Sequence, residues 1–167
     1  MEIRLNKWQD DVFFDAHRYR VINAGRRSGK STLSALYILN FASNYKSDKM
    51  GYIWYIAPTY KQAKSIMWQM LLELLPRHRI KKKNETELSF ELDNNVHILL
   101  KGAEDPDSLR GNRIDLAIFD ETAFHPKWES EWSIMRPTLM DSKAECWFIS
   151  TPNGMNHFKN LADNQLD

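Results

Sequence analysis

Ala24-Gly25-Arg26-Arg27-Ser28-Gly29-Lys30-Ser31-Thr32 is the stretch on which the reading of this chain turns. Upstream, Tyr19-Arg20-Val21-Ile22-Asn23 is β-prone. Downstream, Leu33, Leu36, Tyr37 and Phe41 fall at helical spacing, which predicts a helix of about three turns from Lys30. A small-residue turn between strand and helix, closed by Gly-Lys-Ser, fits the phosphate-loop pattern G-x-x-x-x-G-K-[ST], with Ala24 at the first glycine position and Gly25 one residue later. The chemistry tolerates that change, because small residues let successive N–H groups turn inward and the helix N-terminus adds its positive dipole end. Lys30 is placed to reach the β/γ-phosphates and Ser31 to ligate Mg²⁺. A basic turn at a helix start is the plainer alternative, and the strand-turn-helix context argues against it.

Further along, strands and helices alternate. Tyr52-Ile53-Trp54-Tyr55-Ile56-Ala57 is continuously apolar, as a buried parallel strand is. Pro58-Thr59 stops it, and Ala63, Met67, Met70, Leu71 and Leu74 predict a helix over 60–75, ended by Pro76. Leu88, Phe90 and Leu92, a turn at Asp93-Asn94-Asn95, then Val96, Ile98 and Leu100 read as a β-hairpin. A polar loop runs from Gly102 to Arg113. Trp128, Trp132 and Met135 predict a short helix before Pro137, Cys146-Trp147-Phe148-Ile149 reads as a strand closed by Ser150-Thr151-Pro152, and 154–162 is weakly helical. Such alternation implies a mainly parallel α/β sheet with helices on both faces.

The run Leu116-Ala117-Ile118-Phe119 ends in Asp120-Glu121. A phosphate loop needs a second metal anchor and a way to activate water. An apolar strand ending in adjacent carboxylates, the Walker B pattern, supplies both: Asp120 for Mg²⁺ and Glu121 to accept the proton of the attacking water. Alone, the pair could be a solvated turn after a core strand; the phosphate loop upstream favours the catalytic reading.

Composition bounds the class. The 167 residues are 43% hydrophobic with a formal net charge of +1, which fits one compact domain over 1–167. No apolar run approaches the roughly 18 residues of a membrane span, no signal peptide is legible, and one cysteine, Cys146, excludes an internal disulfide or a multi-Cys zinc site. The expectation is a soluble intracellular protein with no membrane partner. Residues 1–50 carry nine basic and five acidic side chains, and 111–167 five and nine. The one dense basic cluster, Arg77-His78-Arg79-Ile80-Lys81-Lys82-Lys83, reads as a solvated loop rather than a polyanion site.

Four features in order resemble the ATPase domain of the large terminase subunit, which packages DNA into tailed bacteriophage heads: Trp8-Gln9, the arginine-bearing loop Gly25–Ser31, the run Leu116–Glu121, and Ser150-Thr151-Pro152. The resemblance implies an additional-strand (ASCE) P-loop NTPase fold, in which another strand separates the P-loop strand from the Walker B strand. It also implies that Gln9 reads adenine, that Arg26 stands near the phosphates within an ATP site spanning Gly25 to Thr32 (Arg27, Ser28 and Gly29 included), and that Ser31 and Asp120 hold Mg²⁺. Glu121 becomes the catalytic base and Ser150-Thr151 a coupling motif. Arg110, in Ser108-Leu109-Arg110-Gly111, matches the loop that supplies an arginine finger. The implied cofactors are ATP and Mg²⁺; the implied partners are double-stranded DNA, identical subunits in a ring, the portal protein and the small terminase subunit, in the host cell cytoplasm. The family's C-terminal nuclease is expected to be absent, because the chain ends soon after the coupling motif.

Two rivals stand beside this reading. A superfamily 2-type helicase core shares the glutamine, P-loop, Asp-Glu and Ser/Thr motifs but needs a second RecA-like domain. A module that clamps nucleotide without turnover would not need Glu121. His17, His78, His97, His125 and His157 show no metal-ligand spacing and read as structural or solvated; Trp128, Trp132 and Met135 read as core rather than a base-stacking platform.

Overall fold

The computed structural model describes residues 4–111 and 113–163. Seven strands form one sheet in the order β1-β7-β6-β2-β5-β4-β3: β1 (Tyr19–Asn23), β2 (Gly51–Ala57), β3 (Ile80–Asn84), β4 (Ser89–Leu92), β5 (Val96–Gly102), β6 (Leu116–Phe119) and β7 (Glu145–Ser150). The first five in that order are mutually parallel; β4 and β3 add an antiparallel edge. The strand bearing Ser150 therefore lies between the P-loop strand and the Walker B strand, as the additional-strand class requires.

The central strands are apolar on both faces. Along β2, Ile53, Tyr55 and Ala57 join one buried cluster while Trp54 and Ile56 join the other; along β7, Trp147 and Ile149 alternate with Cys146 and Phe148 in the same way. Each face is covered by helices, so no polar side is needed and the strands read as unbroken apolar runs. The first face packs against α1 (Lys7–Phe13), α2 (Lys30–Asn44) and the α3–α4 segment; α3 is Tyr60–Ala63 and α4 is Gln69–Leu74. The second packs against α5 (Trp128–Asp141) and α6 (His157–Ala162).

Four local expectations are corrected. Residues 77–83 are not a solvated loop: Arg77–Arg79 form a 3₁₀ turn and Ile80–Asn84 an edge strand, with Lys81 paired to Glu91 at 2.8 Å and Arg79 to Asp93 at 2.6 Å. Lysines on an edge strand keep it from pairing with other chains. The helix starting at Trp128 does not stop before Pro137. Pro137 has no N–H to return to Ser133, yet Met135 and Leu139 are both fully buried, and that anchoring carries the helix to Asp141. The helix over 60–75 is interrupted by a π-helical turn at Lys64–Trp68, which brings Trp68 beside Met67 into the core, where it stacks on Phe90 with ring centroids 4.4 Å apart. The helix after the P-loop has 15 residues, longer than expected, because Ile38 and Ala42 extend its buried face.

Candidate active site

The loop between β1 and α2 turns around the ammonium of Lys30, which donates to the carbonyls of Ala24 at 3.0 Å and Gly25 at 2.9 Å. Arg27 and Gly29 both have positive φ, 59° and 90°. At Gly29 the positive φ strains any side chain, and an added Cβ would lie 2.7 Å from Gln9 Nε2, so the Gln9 amide would have to shift. A cavity of about 360 Å³ opens here, lined by Arg26, Arg27, Ser28, Gly29, Lys30, Ser31, Thr32 and Glu121. Arg26 and Arg27 are exposed, and Ser28 Oγ is buried with no hydrogen-bond partner. Oriented backbone, a buried ammonium and two arginines at a helix N-terminus form a polyanion cradle.

Gln9 lies against this loop. Its Oε1 accepts from the Asn6 N–H at 3.0 Å in a capping box that starts α1, and its Nε2 donates to the Gly29 carbonyl at 3.4 Å. One nitrogen hydrogen and one oxygen lone pair of the amide remain for a ligand.

Across the cavity, β6 ends at Phe119 and Asp120 follows it. Burial pushes the Asp120 carboxyl above the usual range, and the hydrogen bond from Tyr55 opposes that rise. Tyr55 donates its hydroxyl to Asp120 Oδ2, while Oδ1 accepts from the Glu121 N–H at 2.9 Å. Glu121 adopts the left-handed conformation, φ 47° and ψ 44°. Its Oε2 accepts from Thr151 Oγ1 at 3.2 Å and, at 3.4 Å each, from Ser150 Oγ and the Thr151 N–H. The segment after β7 thus touches the carboxylate expected to act as base.

Arg110 is not among the cavity-lining residues. It is exposed at the end of a 3₁₀ turn (Pro106–Leu109) and pairs with Asp107 at 2.8 Å. A larger cavity of about 550 Å³, near Tyr60, Lys101 and Glu104, lies away from the phosphate loop. Among the described residues, no three His, Cys, Asp or Glu side chains are grouped to hold a metal, and no helix is long and apolar enough to cross a membrane. Cys146 is buried within its strand, and burial pushes its thiol up. Trp128 is core, stacked between Trp132 and His157.

A family model for the terminase large subunit, T4likevirus-type, N-terminal, matches residues 21–167. The chain belongs to the terminase large subunit family. The terminase large subunit of Escherichia phage T5 is 31% identical over 146 residues, covering 86% of this chain and 32% of that protein. That of Thermus virus P23-45 is 32% identical over 159 residues, covering 83% and 32%. This terminase chain therefore spans about a third of the length of the curated relatives it matches. The large terminase ATPase domain of Thermus phage P74-26 superposes with a TM-score of 0.79 at 28% identity, over 93% of this chain and 68% of that one. A large terminase from a thermophilic bacteriophage, solved in complex with ADP, shares the fold, with a TM-score of 0.75 at 16% identity over 96% and 43%.

Sequence reading gave no role to Tyr55, and His125 and His157, read as structural or solvated, hydrogen-bond the backbone carbonyls of Asp120 and Thr122. Tyr55 carried a usable signal, since a tyrosine inside a continuously apolar strand needs a partner for its hydroxyl. Its role is testable. Tyr55→Phe removes an interaction that lowers the Asp120 pKa, so the acid-side loss of activity is expected to begin at higher pH, with turnover at neutral pH down roughly tenfold. A pH–rate profile superimposable on the wild type would contradict this.

Proposed function

We propose that this domain hydrolyses ATP with Mg²⁺ and that, in the assembled motor, hydrolysis drives double-stranded DNA into a viral procapsid. The observation that carries the reading is the convergence of Lys30 and Glu121 on one cavity, with Asp120 buried beside them within electrostatic reach of Lys30 and with Ser150 and Thr151 bonded to Glu121. Mg²⁺ prefers hard oxygen donors and keeps several waters; Asp120, mostly buried and held by two donors, and the Ser31 hydroxyl fit that demand. When bound, the ion would neutralise phosphate charge.

The chain's own residues then divide the work. Lys30 exchanges its two carbonyl acceptors for phosphate oxygens, and Arg26 and Arg27 screen the remaining charge. Glu121 accepts the proton of the attacking water; to do so its carboxylate leaves Ser150 and Thr151, so those hydroxyls register whether the base is engaged. That exchange is the physical basis we assign to coupling. The partners in this reading are double-stranded DNA, identical subunits in a ring, the portal protein and the small terminase subunit, in the host cytoplasm. The helicase alternative finds no support in the relatives above, and the placement of Glu121 disfavours a module without turnover. Phosphate release with and without double-stranded DNA tests the reading: stimulation supports it, and hydrolysis indifferent to DNA at every length contradicts the coupling.

Base selection is assigned to Gln9. Its remaining donor and acceptor complement adenine, and guanine reverses that pattern at the six-position. Gln9→Ala is expected to reduce preference for ATP over GTP by about 1–3 kcal/mol, read by competition binding; an unchanged ratio would remove Gln9 from the role.

A further inference from the structure

His125 and Glu131 are buried side chains that the chemistry above does not use. Both side chains are fully buried, with His125 Nδ1 2.5 Å from Glu131 Oε2. The other ring nitrogen, Nε2, lies 2.9 Å from the Asp120 carbonyl oxygen. A carbonyl can only accept, so Nε2 carries the hydrogen. The proton between Nδ1 and the carboxylate can sit on either partner without altering that bond.

The carbonyl belongs to the peptide that joins Asp120 to Glu121. That peptide's N–H points the other way, to Asp120 Oδ1 at 2.9 Å, so its two ends are fixed by His125 and by the Asp120 carboxylate. The orientation matters because Glu121 sits at φ 47°, a region that L side chains rarely occupy. The following peptides are tied elsewhere: the Thr122 carbonyl accepts from His157 Nε2 at 2.6 Å, the Ala123 carbonyl from Asn156 Nδ2 at 3.2 Å, and the Ala123 N–H donates to Ser150 Oγ at 3.1 Å. None of those bonds restrains the Asp120 carbonyl. Phe119 and Trp128 pack around the imidazole, with centroids 6.1 and 6.0 Å away. Glu131 Oε1 is buried without a hydrogen-bond partner, so the carboxylate's one hydrogen bond is to this ring. Burying such a pair adds little net stability; its consequence lies in where the ring points.

We propose that His125 is a positioning residue for hydrolysis: oriented by Glu131, it holds the Asp120–Glu121 peptide so that Asp120 faces the metal position and Glu121 stays in the left-handed conformation that aims its carboxylate at the cavity. The inference rests on the hydrolytic reading of the site.

Two variants in one background test it. His125→Phe/Glu131→Leu and His125→Gln/Glu131→Leu both remove the buried carboxylate, and they differ in whether a donor remains near Nε2. The phenylalanine variant is expected to lower kcat roughly 10–100-fold with the Kd for ATP little changed, and the glutamine variant to recover most of that loss. Equal kcat in the two variants, or loss of kcat and affinity together in step with Tm, would overturn the proposal. Should either variant fail to fold, nitrogen NMR of the wild-type chain decides: a hydrogen on His125 Nε2 with slow exchange is expected, and an Nε2 without hydrogen contradicts the positioning bond. That measurement needs no turnover. A wild-type chain without ATPase activity would count against the hydrolytic reading instead, which separates the two failures.

Discussion

Glu121→Gln is expected to bind ATP about as tightly as the wild type and to lose turnover by a factor of roughly 10²–10⁴. The amide keeps the size of the carboxylate and can still meet the hydroxyls of Ser150 and Thr151, but it cannot take a proton from water. Lys30→Ala should do the opposite. Its ammonium is the buried positive charge of the phosphate loop, and removing it takes away ground-state phosphate binding before any chemistry begins. Calorimetry of both variants beside steady-state kinetics separates the roles. Equal loss of ATP affinity in the two would show that Glu121 is part of the binding surface rather than the base.

Arg110 carries the second large effect. It is exposed, is held by Asp107, and does not line the cavity, which already has Lys30, Arg26 and Arg27 from its own chain. An arginine that reaches γ-phosphate charge only when a neighbouring copy docks would be silent in a monomer, and fingers of this kind contribute roughly 10³–10⁵ in rate. Arg110→Ala is therefore expected to bind ATP normally and hydrolyse it slowly at every protein concentration, whereas wild-type specific activity rises with concentration. A mixture of Arg110→Ala and Glu121→Gln should recover turnover, because an interface can then pair an intact finger with an intact base. Rates linear in wild-type concentration, with no recovery in demonstrably mixed assemblies, would place Arg110 outside the reaction.

The features legible in the sequence are those whose meaning is local. The phosphate loop announces itself because Gly29, Lys30 and Ser31 must be adjacent to wrap a phosphate, and the Walker B pair because Asp120-Glu121 must end an apolar strand. That another strand separates the P-loop strand from the Walker B strand followed from the family resemblance, and the order β1-β7-β6 bears it out. Less legible were segments in which packing overrules a local sign. Three consecutive lysines looked like a loop, but backbone pairing with β4 needs nothing from their side chains. Pro137 looked like a stop, but Leu139 beyond it is anchored in the core. The π-helical turn at Lys64–Trp68 leaves the apolar period nearly intact and so gives no warning.

Within the site, what stayed hidden was every contact made across the fold. Tyr55 and Asp120 are 65 positions apart, and His157 and Thr122 are 35 apart. His125 is near Glu131 in sequence, yet the meaning of the pair depends on the Asp120 carbonyl, whose direction no side-chain pattern encodes. Gln9 was found only through resemblance, and the structure adds that its amide also caps α1.

Phosphate release by the wild-type chain, measured with ATP and Mg²⁺ against the same reaction in excess chelator, tests the central claim most directly. The account predicts hydrolysis that requires Mg²⁺, rises with protein concentration and disappears in Glu121→Gln. Hydrolysis that survives the chelator, or that persists undiminished in Glu121→Gln, would contradict it.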